Sequence, residues 1–272
     1  MTEQFSIVDK LTSIVYNLSK KEKKLLIYNG YRENRLLNWK KKSSLNWKTT
    51  LKIVDNLKII TALEIRGFIR EFVEQNPQIF EQDNVYITSF GQKGKSGDVI
   101  LYEFTHCVSK KLQNKVIESW QIKNLPEGSK VIFLDDIVGT GRQSVEYINE
   151  KLNLIIQPSF KCYLFCICAT QEGIEKFNSE TNFEMVHAML LSEDSEFLNP
   201  NNKIFNEKEK QILIDLNQNL TPRKNNDYSK GLLVAFPYGI PNNTMPIIWK
   251  DNFKYKCADQ EMSWYALLPR KF

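Results

Sequence analysis

The chain has 272 residues, 42% hydrophobic and 25% charged, with a formal net charge of +5; that length supports one large core or a core with an appendage. The balance excludes a disordered or fibrous chain, and no uncharged apolar run approaches the roughly 18 residues that a membrane-spanning helix needs. The opening MTEQFSIVDK lacks the basic-then-apolar pattern of a secretory signal, so the expected address is cytoplasmic and the five cysteines are expected to be reduced.

Charge is unevenly placed. Residues 1–58 hold 13 Lys or Arg against 5 Asp or Glu, a balance of +8, leaving 24 against 27, or −3, for the remainder. The runs Lys20-Lys21-Glu22-Lys23-Lys24 and Lys40-Lys41-Lys42 read either as a solvated face or as a surface for nucleic acid or an acidic partner protein. Phe5, Ile7, Val8, Leu11, Ile14, Val15 and Leu18 recur at three- and four-residue spacing, which predicts a helix over 5–18. Trp39 and Trp47 stand in two LNWK segments whose spacing is too short for a structural repeat; they read as helix-packing anchors or as coincidence. Helical spacing resumes from Thr49 to about Val73, in one or two helices, until Asn76-Pro77 breaks it. Residues 1–80 are therefore expected to be a helical N-terminal extension, and residues 81–272 an α/β domain.

The α/β pattern begins with a strand, Asn84 to Ser89, and a glycine- and lysine-rich loop, FGQKGKSGD. A helix follows, with Ser96 as its expected N-cap, running through Leu101, Phe104, Val108 and Leu112. Then come a short strand at Val116 to Ser119, the apolar strand at Val131, a helix from Val145 to Leu152, a strand from Tyr163 to Ala169 and a helix after Gln171. A strand at Glu184 to Leu191, a helix at Glu207 to Leu220 and a strand at Leu232 to Phe236 complete the alternation, which predicts a largely parallel sheet flanked by helices. Cys162, Cys166 and Cys168 read as small apolar residues of a buried strand rather than as zinc ligands. His106 reads as a packing or capping residue and His187 as a half-buried strand residue, while the tail PYGIPNNTMPIIW reads as ordered loop.

The stretch with chemistry in it is VIFLDDIVGTGRQS, residues 131–144. An unbroken apolar run suits a strand covered on both faces, and its carboxyl end, where ligands bind in open α/β sheets, carries Asp135 and Asp136 followed by a small-residue turn. A P-loop reading, with Gly94-Lys95-Ser96 opening a helix and VIFLDD supplying the acid that orders Mg²⁺, fits less well, because its first glycine would fall at Ser89 and nothing in it accounts for GTGRQS after the acids. The stretch resembles instead the signature of type I phosphoribosyltransferases. That resemblance implies that Asp135 and Asp136 act at the ribose hydroxyls and the metal, and that Gly139, Thr140, Gly141, Arg142, Gln143 and Ser144 grip the 5-phosphate. It also implies that the Phe90 to Gly97 loop, with Lys93, Gly94 and Lys95, meets the pyrophosphate. The expected ligand is phosphoribosyl pyrophosphate or a ribose-phosphate nucleotide with Mg²⁺.

Three departures bear on activity. Gly139 stands where purine-type members carry an acid, Gln143 replaces a hydroxyl residue, and the segment Trp120 to Ser129 is short for a covering loop. The stretch PNNTMPIIW, residues 241–249, is a candidate cover in which Asn242 and Asn243 read a base edge and Trp249 stacks on it; a packed loop is the alternative. Together with the helical N-terminal region, these features resemble the phosphoribosyltransferase-like effectors of bacterial conflict systems, such as those associated with retrons. Two functions are expected from the resemblance: a phosphoribosyltransferase-type enzyme acting on nucleotides in antiphage defence, or a catalytically silent nucleotide-sensing or partner-docking module. Homo-oligomerisation stays open.

Overall fold

A computed structural model describes residues 20–29, 31–32, 35–43, 45–221, 231–251, 253–257 and 260–270; the helix expected over 5–18 lies outside them. In chain order, residues 20–25 are helical, followed by α1 (Arg35–Ser43), α2 (Trp47–Asn56) and a two-residue strand β1 (Lys58–Ile59). The periodic stretch at 49–73 is thus two helices, α2 and α3 (Ala62–Gln75), parted by β1. Thr61 and Glu64 form a capping box at the start of α3, and Pro77 opens the four-residue α4 (Pro77–Phe80), where its missing N–H leaves no bond unmade. Next come β2 (Val85–Ser89), α5 (Ser96–Thr105) and α6 (Lys110–Gln113). The helix expected to continue to Leu112 stops at Thr105: His106 is its C-cap, with Nδ1 2.8 Å from the Tyr102 carbonyl. The strand expected at 116–119 is a single bridge from Val116 to Ile87, leading into a 3-10 turn, Ser119–Asn124. The remaining elements are β3 (Lys130–Val138), α7 (Arg142–Glu150), β4 (Lys161–Thr170), α8 (Gln171–Glu180), β5 (Glu184–Leu191), α9 (Glu207–Leu220), β6 (Val234–Ala235), α10 (Pro246–Trp249), β7 (Phe253–Cys257) and β8 (Gln260–Trp264).

Two compact units compose the chain: residues 61–195, and residues 1–60 together with 196–272. The first contains a four-stranded parallel sheet in the order β2-β3-β4-β5, with Ser89 opposite Leu134 and Asp135 opposite Cys166. Helices cover both faces, which is why β3 and β4 read as continuous apolar runs. On one face Phe72 of α3 stacks on Phe165 of β4, ring centroids 4.1 Å apart. On the other, Val131, Phe133, Leu164 and Cys166 share a core with Ile148 of α7 and Phe177 of α8. Burial of side chains this size contributes about 1.5–3 kcal/mol each. Cys162, Cys166 and Cys168 are buried thiols outside any disulfide, and burial pushes the Cys162 thiol up to about 12. Among the described residues no cluster of three or more His, Cys, Asp or Glu is assembled for a metal.

The second unit joins the two ends of the chain, so the compact division does not follow the expected boundary at residue 80. The apolar faces of α1 and α2 find their partners some 200 residues later. Trp39 donates its indole N–H to the Ile247 carbonyl at 2.8 Å and meets Trp264 edge-on, centroids 6.3 Å apart. Thr49 and Lys52 of α2 both hydrogen-bond Glu209 of α9. The expected strand at Leu232 to Phe236 shrinks to β6, which pairs in parallel with β1 rather than with the main sheet. The hairpin of β7 and β8 is antiparallel and leaves no signal in the sequence. Periodicity says that a helix has an apolar face; it does not say what that face meets.

Candidate functional site

Alternation along β3 sends its apolar residues into the two cores and brings the strand to its carboxyl end at Asp135 and Asp136. The pair is not equivalent. Asp135 Oδ1 accepts from the Ser96 hydroxyl at 2.9 Å and from the Asp136 backbone N–H at 2.9 Å. Burial of its carboxyl, then the neighbouring Asp136 charge, holds the Asp135 pKa well above the usual carboxylate range, against the pull of those two hydrogen bonds. Asp136 is 8% exposed. Ser96, expected as a helix N-cap, is instead the first residue of α5; Lys95 occupies the cap position, and the Ser96 hydroxyl goes to Asp135.

Beyond the acids, Gly139 is buried, Thr140 is half-buried and Gly141 is buried. Gly141 is the N-cap of α7 and has φ +73, a left-handed conformation that glycine adopts without steric cost. The first turn of α7 contains no acid and no side chain caps it; Gln143 is exposed there and Ser144 is 6% exposed. Arg142 lies on the exposed side, where its Nε donates to Glu146 at 2.7 Å.

The turn is braced from behind by the start of α8. The Thr170 hydroxyl donates to the Gly139 carbonyl at 2.6 Å and accepts from the Gly173 N–H at 3.1 Å. A Cβ at Gly173 would lie 2.1 Å from the Gly139 oxygen, and one at Gly141 would lie 2.8 Å from the Gly173 oxygen. Gly139, Gly141 and Gly173 therefore form a joint in which two backbones touch. Neither Thr170 nor Gly173 stands out in the sequence, although a glycine in the first turn of a helix, where it is unfavourable, marks a close approach.

The loop between β2 and α5 is folded back on itself. Gly94 has φ +81, and its N–H donates to Asp98 Oδ2 at 2.5 Å. The Tyr147 hydroxyl, from α7, donates to the Gly91 carbonyl at 2.9 Å; burial first, and the Asp98 charge second, raises the Tyr147 pKa. Gly97 packs so closely that a Cβ would lie 2.2 Å from the Phe90 oxygen. Lys93 is 87% exposed, 3.9 Å from Glu118, a separation and exposure that contribute little; Lys95 is exposed. This loop and the Gly139–Ser144 turn thus lie in one unit, tied together by Tyr147 and Ser96.

Asn242 and Asn243 belong to the other unit. Asn242 is exposed; Asn243 is 8% exposed and its carbonyl accepts from Leu232 N–H at 3.3 Å. The Trp249 indole donates to the Thr244 carbonyl at 2.7 Å, and the Arg270 guanidinium lies 3.6 Å over its ring. That ring face and that N–H are engaged in packing.

The family model described as PRTase-CE matches residues 33–270. Among solved structures, the chain is similar to orotate phosphoribosyltransferase from Aeropyrum pernix, with 13% identity, 56% of this chain and 73% of that chain covered, and a TM-score of 0.33. It is similar to a hypoxanthine-guanine-xanthine phosphoribosyltransferase, with 19% identity, 51% and 81% covered, and a TM-score of 0.33. A third similar structure is the Trypanosoma brucei adenine phosphoribosyl transferase in complex with AMP, pyrophosphate and ribose-5-phosphate, with 11% identity, 54% and 68% covered, and a TM-score of 0.34. No curated protein matches.

Proposed function

Because this chain belongs to the PRTase-CE family, we propose that its 61–195 unit binds phosphoribosyl pyrophosphate, or a ribose-phosphate nucleotide, at the carboxyl end of β3. The observation that carries this is the acid pair running directly into the left-handed Gly141 turn at the start of α7. Unpaired N–H groups and the dipole at a helix start favour a phosphate, and carboxylates accept from paired hydroxyls. Asp136 is the acid for the ribose diol, with Asp135 held behind it by Ser96. Thr140, Ser144 and the backbone of Gly139 to Gln143 receive the 5-phosphate, and the Phe90–Gly97 loop receives the diphosphate.

The donor set suits Mg²⁺, which is commonly held by one or two carboxylates plus ligand phosphates rather than by an all-protein cage. Asp136 and, if it is released from Ser96, Asp135 would hold it; the ion would supply charge neutralisation for a leaving diphosphate. The reaction is displacement at the anomeric carbon: the acceptor forms a bond to C1 as the C1–O bond to diphosphate breaks. The Asp136 carboxylate stabilises the positive charge that develops on the ring. Calorimetry with phosphoribosyl pyrophosphate and Mg²⁺ tests the reading. Binding by the wild type that is lost in Asp135→Asn/Asp136→Asn is expected; equal binding by both overturns it.

A second reading, a catalytically silent nucleotide-sensing module, is favoured by Gly139 in place of an acid and by the engagement of Asp135 with Ser96. Pyrophosphate release on incubation with nucleotides separates the two. The role in phage defence is part of the proposal, and its check is protection of host cells by the wild-type gene and not by the double Asn variant.

A further inference from the structure

The diphosphate loop of the free protein already carries an anion of its own. Asp98 Oδ2 accepts the Gly94 N–H at 2.5 Å, in the way that a phosphate oxygen accepts a loop amide. Gly94 is left-handed at φ +81, and a Cβ there would meet nothing within 4 Å. Its glycine therefore serves the direction of the chain, aiming the N–H at Asp98, and not a tight fit. From the other side Tyr147 holds the Gly91 carbonyl at 2.9 Å, so both halves of the loop are fixed before any ligand arrives. Asp98 lies in the first turn of α5, directly after the loop that the proposed function assigns to the diphosphate.

We infer that Asp98 is an anionic placeholder on this loop: its carboxylate occupies the Gly94 amide in the free protein, and a diphosphate group must displace or repel it to bind. The inference rests on the reading of the site given above and adds to it a discriminating role. Asp98 opposes a dianionic or trianionic diphosphate more than it opposes the distant 5-phosphate, so it lowers affinity for the diphosphate-bearing ligand and eases release of the pyrophosphate product. Asn at this position keeps an oxygen acceptor for Gly94 and removes the charge. Two like charges about 5 Å apart in a partly hydrated loop repel by an amount equivalent to about three- to tenfold in affinity.

Inorganic pyrophosphate, phosphoribosyl pyrophosphate and ribose 5-phosphate, each with Mg²⁺, are titrated calorimetrically into wild type, Asp98→Asn and Asp135→Asn/Asp136→Asn at low and high KCl. Asp98→Asn is expected to bind the two diphosphate ligands about three- to tenfold more tightly at low salt, with the gain shrinking at high salt, and to bind ribose 5-phosphate as the wild type does. A merely structural cap would move all three ligands together. Unchanged or weaker diphosphate binding by Asp98→Asn overturns the inference, the weaker case marking Asp98 as a metal ligand or a simple cap. Asp98→Ser, which is neutral and keeps an oxygen acceptor, repeats the comparison should the asparagine variant misfold. If wild-type binding depends on Asp135 and Asp136 while Asp98→Asn gains nothing, the placeholder alone fails. If neither wild type nor Asp98→Asn binds any of the three, the reading of the site fails with it.

Discussion

Gly173→Ala puts the joint behind the Gly139–Gly141 turn to a direct test. The added methyl would lie 2.1 Å from the Gly139 oxygen and 3.0 Å from the Val138 oxygen, so one backbone must move by about 1.4 Å to restore an ordinary contact of about 3.5 Å. Overpacking of this kind costs about 1–3 kcal/mol. If the Gly139 carbonyl swings away, its 2.6 Å bond from Thr170 is also lost, adding about 1 kcal/mol. The expected loss is about 2–4 kcal/mol, read by urea denaturation as a fall in midpoint at constant slope. Gly67→Ala is the control: Gly67 lies in α3, exposed, and a Cβ added there would meet nothing within 4 Å. That variant should gain about 0.5–1 kcal/mol from helix propensity. A loss below about 0.5 kcal/mol in Gly173→Ala would refute the close approach. Where the joint holds, the same variant weakens ligand binding beyond its effect on folding, because the phosphate turn is displaced.

The raised pKa of Asp135 gives a second prediction. A folded-state pKa above the unfolded value of about 3.9 means that ionisation penalises the fold, so the Asp135 contribution is most favourable at low pH and is lost as pH rises toward the folded pKa. Asp135→Asn should match wild type near pH 4 and melt higher at pH 8; a melting difference that does not vary with pH contradicts this. Glu209 runs the other way. Its burial works to raise its pKa, but bonds from Lys52, the Asn206 backbone and Thr49 outweigh that and hold it low. Its stabilisation is present above the unfolded carboxyl pKa and is lost as pH falls through the folded one. Glu209→Gln should cost about 1–3 kcal/mol at neutral pH, with the gap closing in acid. Lastly, Trp47 is 39% exposed with Lys40 Nζ 5.6 Å from its ring centroid, and Lys41, Lys42 and Lys48 lie next to these two in sequence. If this face takes single-stranded nucleic acid, replacing Lys40, Lys41 and Lys42 by Gln should lower the salt slope of oligonucleotide binding by about 2, and a flat wild-type salt response rules the contact out.

Local chemistry was legible where it was self-sufficient. Glu184–Leu191 and Glu207–Leu220 have the predicted bounds, the second because Asn206 and Glu209 form a capping box readable within four residues. The strand-to-turn passage at 131–144 was readable because an apolar run, two acids and small residues follow one another directly. What failed to show depended on remote partners. Ser96 looks like a cap until Asp135, 39 residues on, takes its hydroxyl. Asp98 stands in the first turn of α5, where an acid suits the helix dipole, and nothing local shows that the Gly94 N–H turns back to it. β6 and β1 are two residues each and exist as strands only because each finds the other, and no periodicity can be read from two residues.

The union of residues 1–60 with residues 196–272 also orders events during synthesis. Residues 61–195 hold all four strands of their sheet and can close on themselves as soon as they leave the ribosome. The helices of residues 35–56, made before that unit, must wait for Ile247, Trp264 and Glu209. At about 5–20 residues per second, that interval is roughly 10–40 s, during which the apolar faces around Trp39 and Ile53 have no native cover. The stretch before residue 61, made ahead of the 61–195 unit, is therefore finished after it, and it is the stretch where a holding chaperone would matter most.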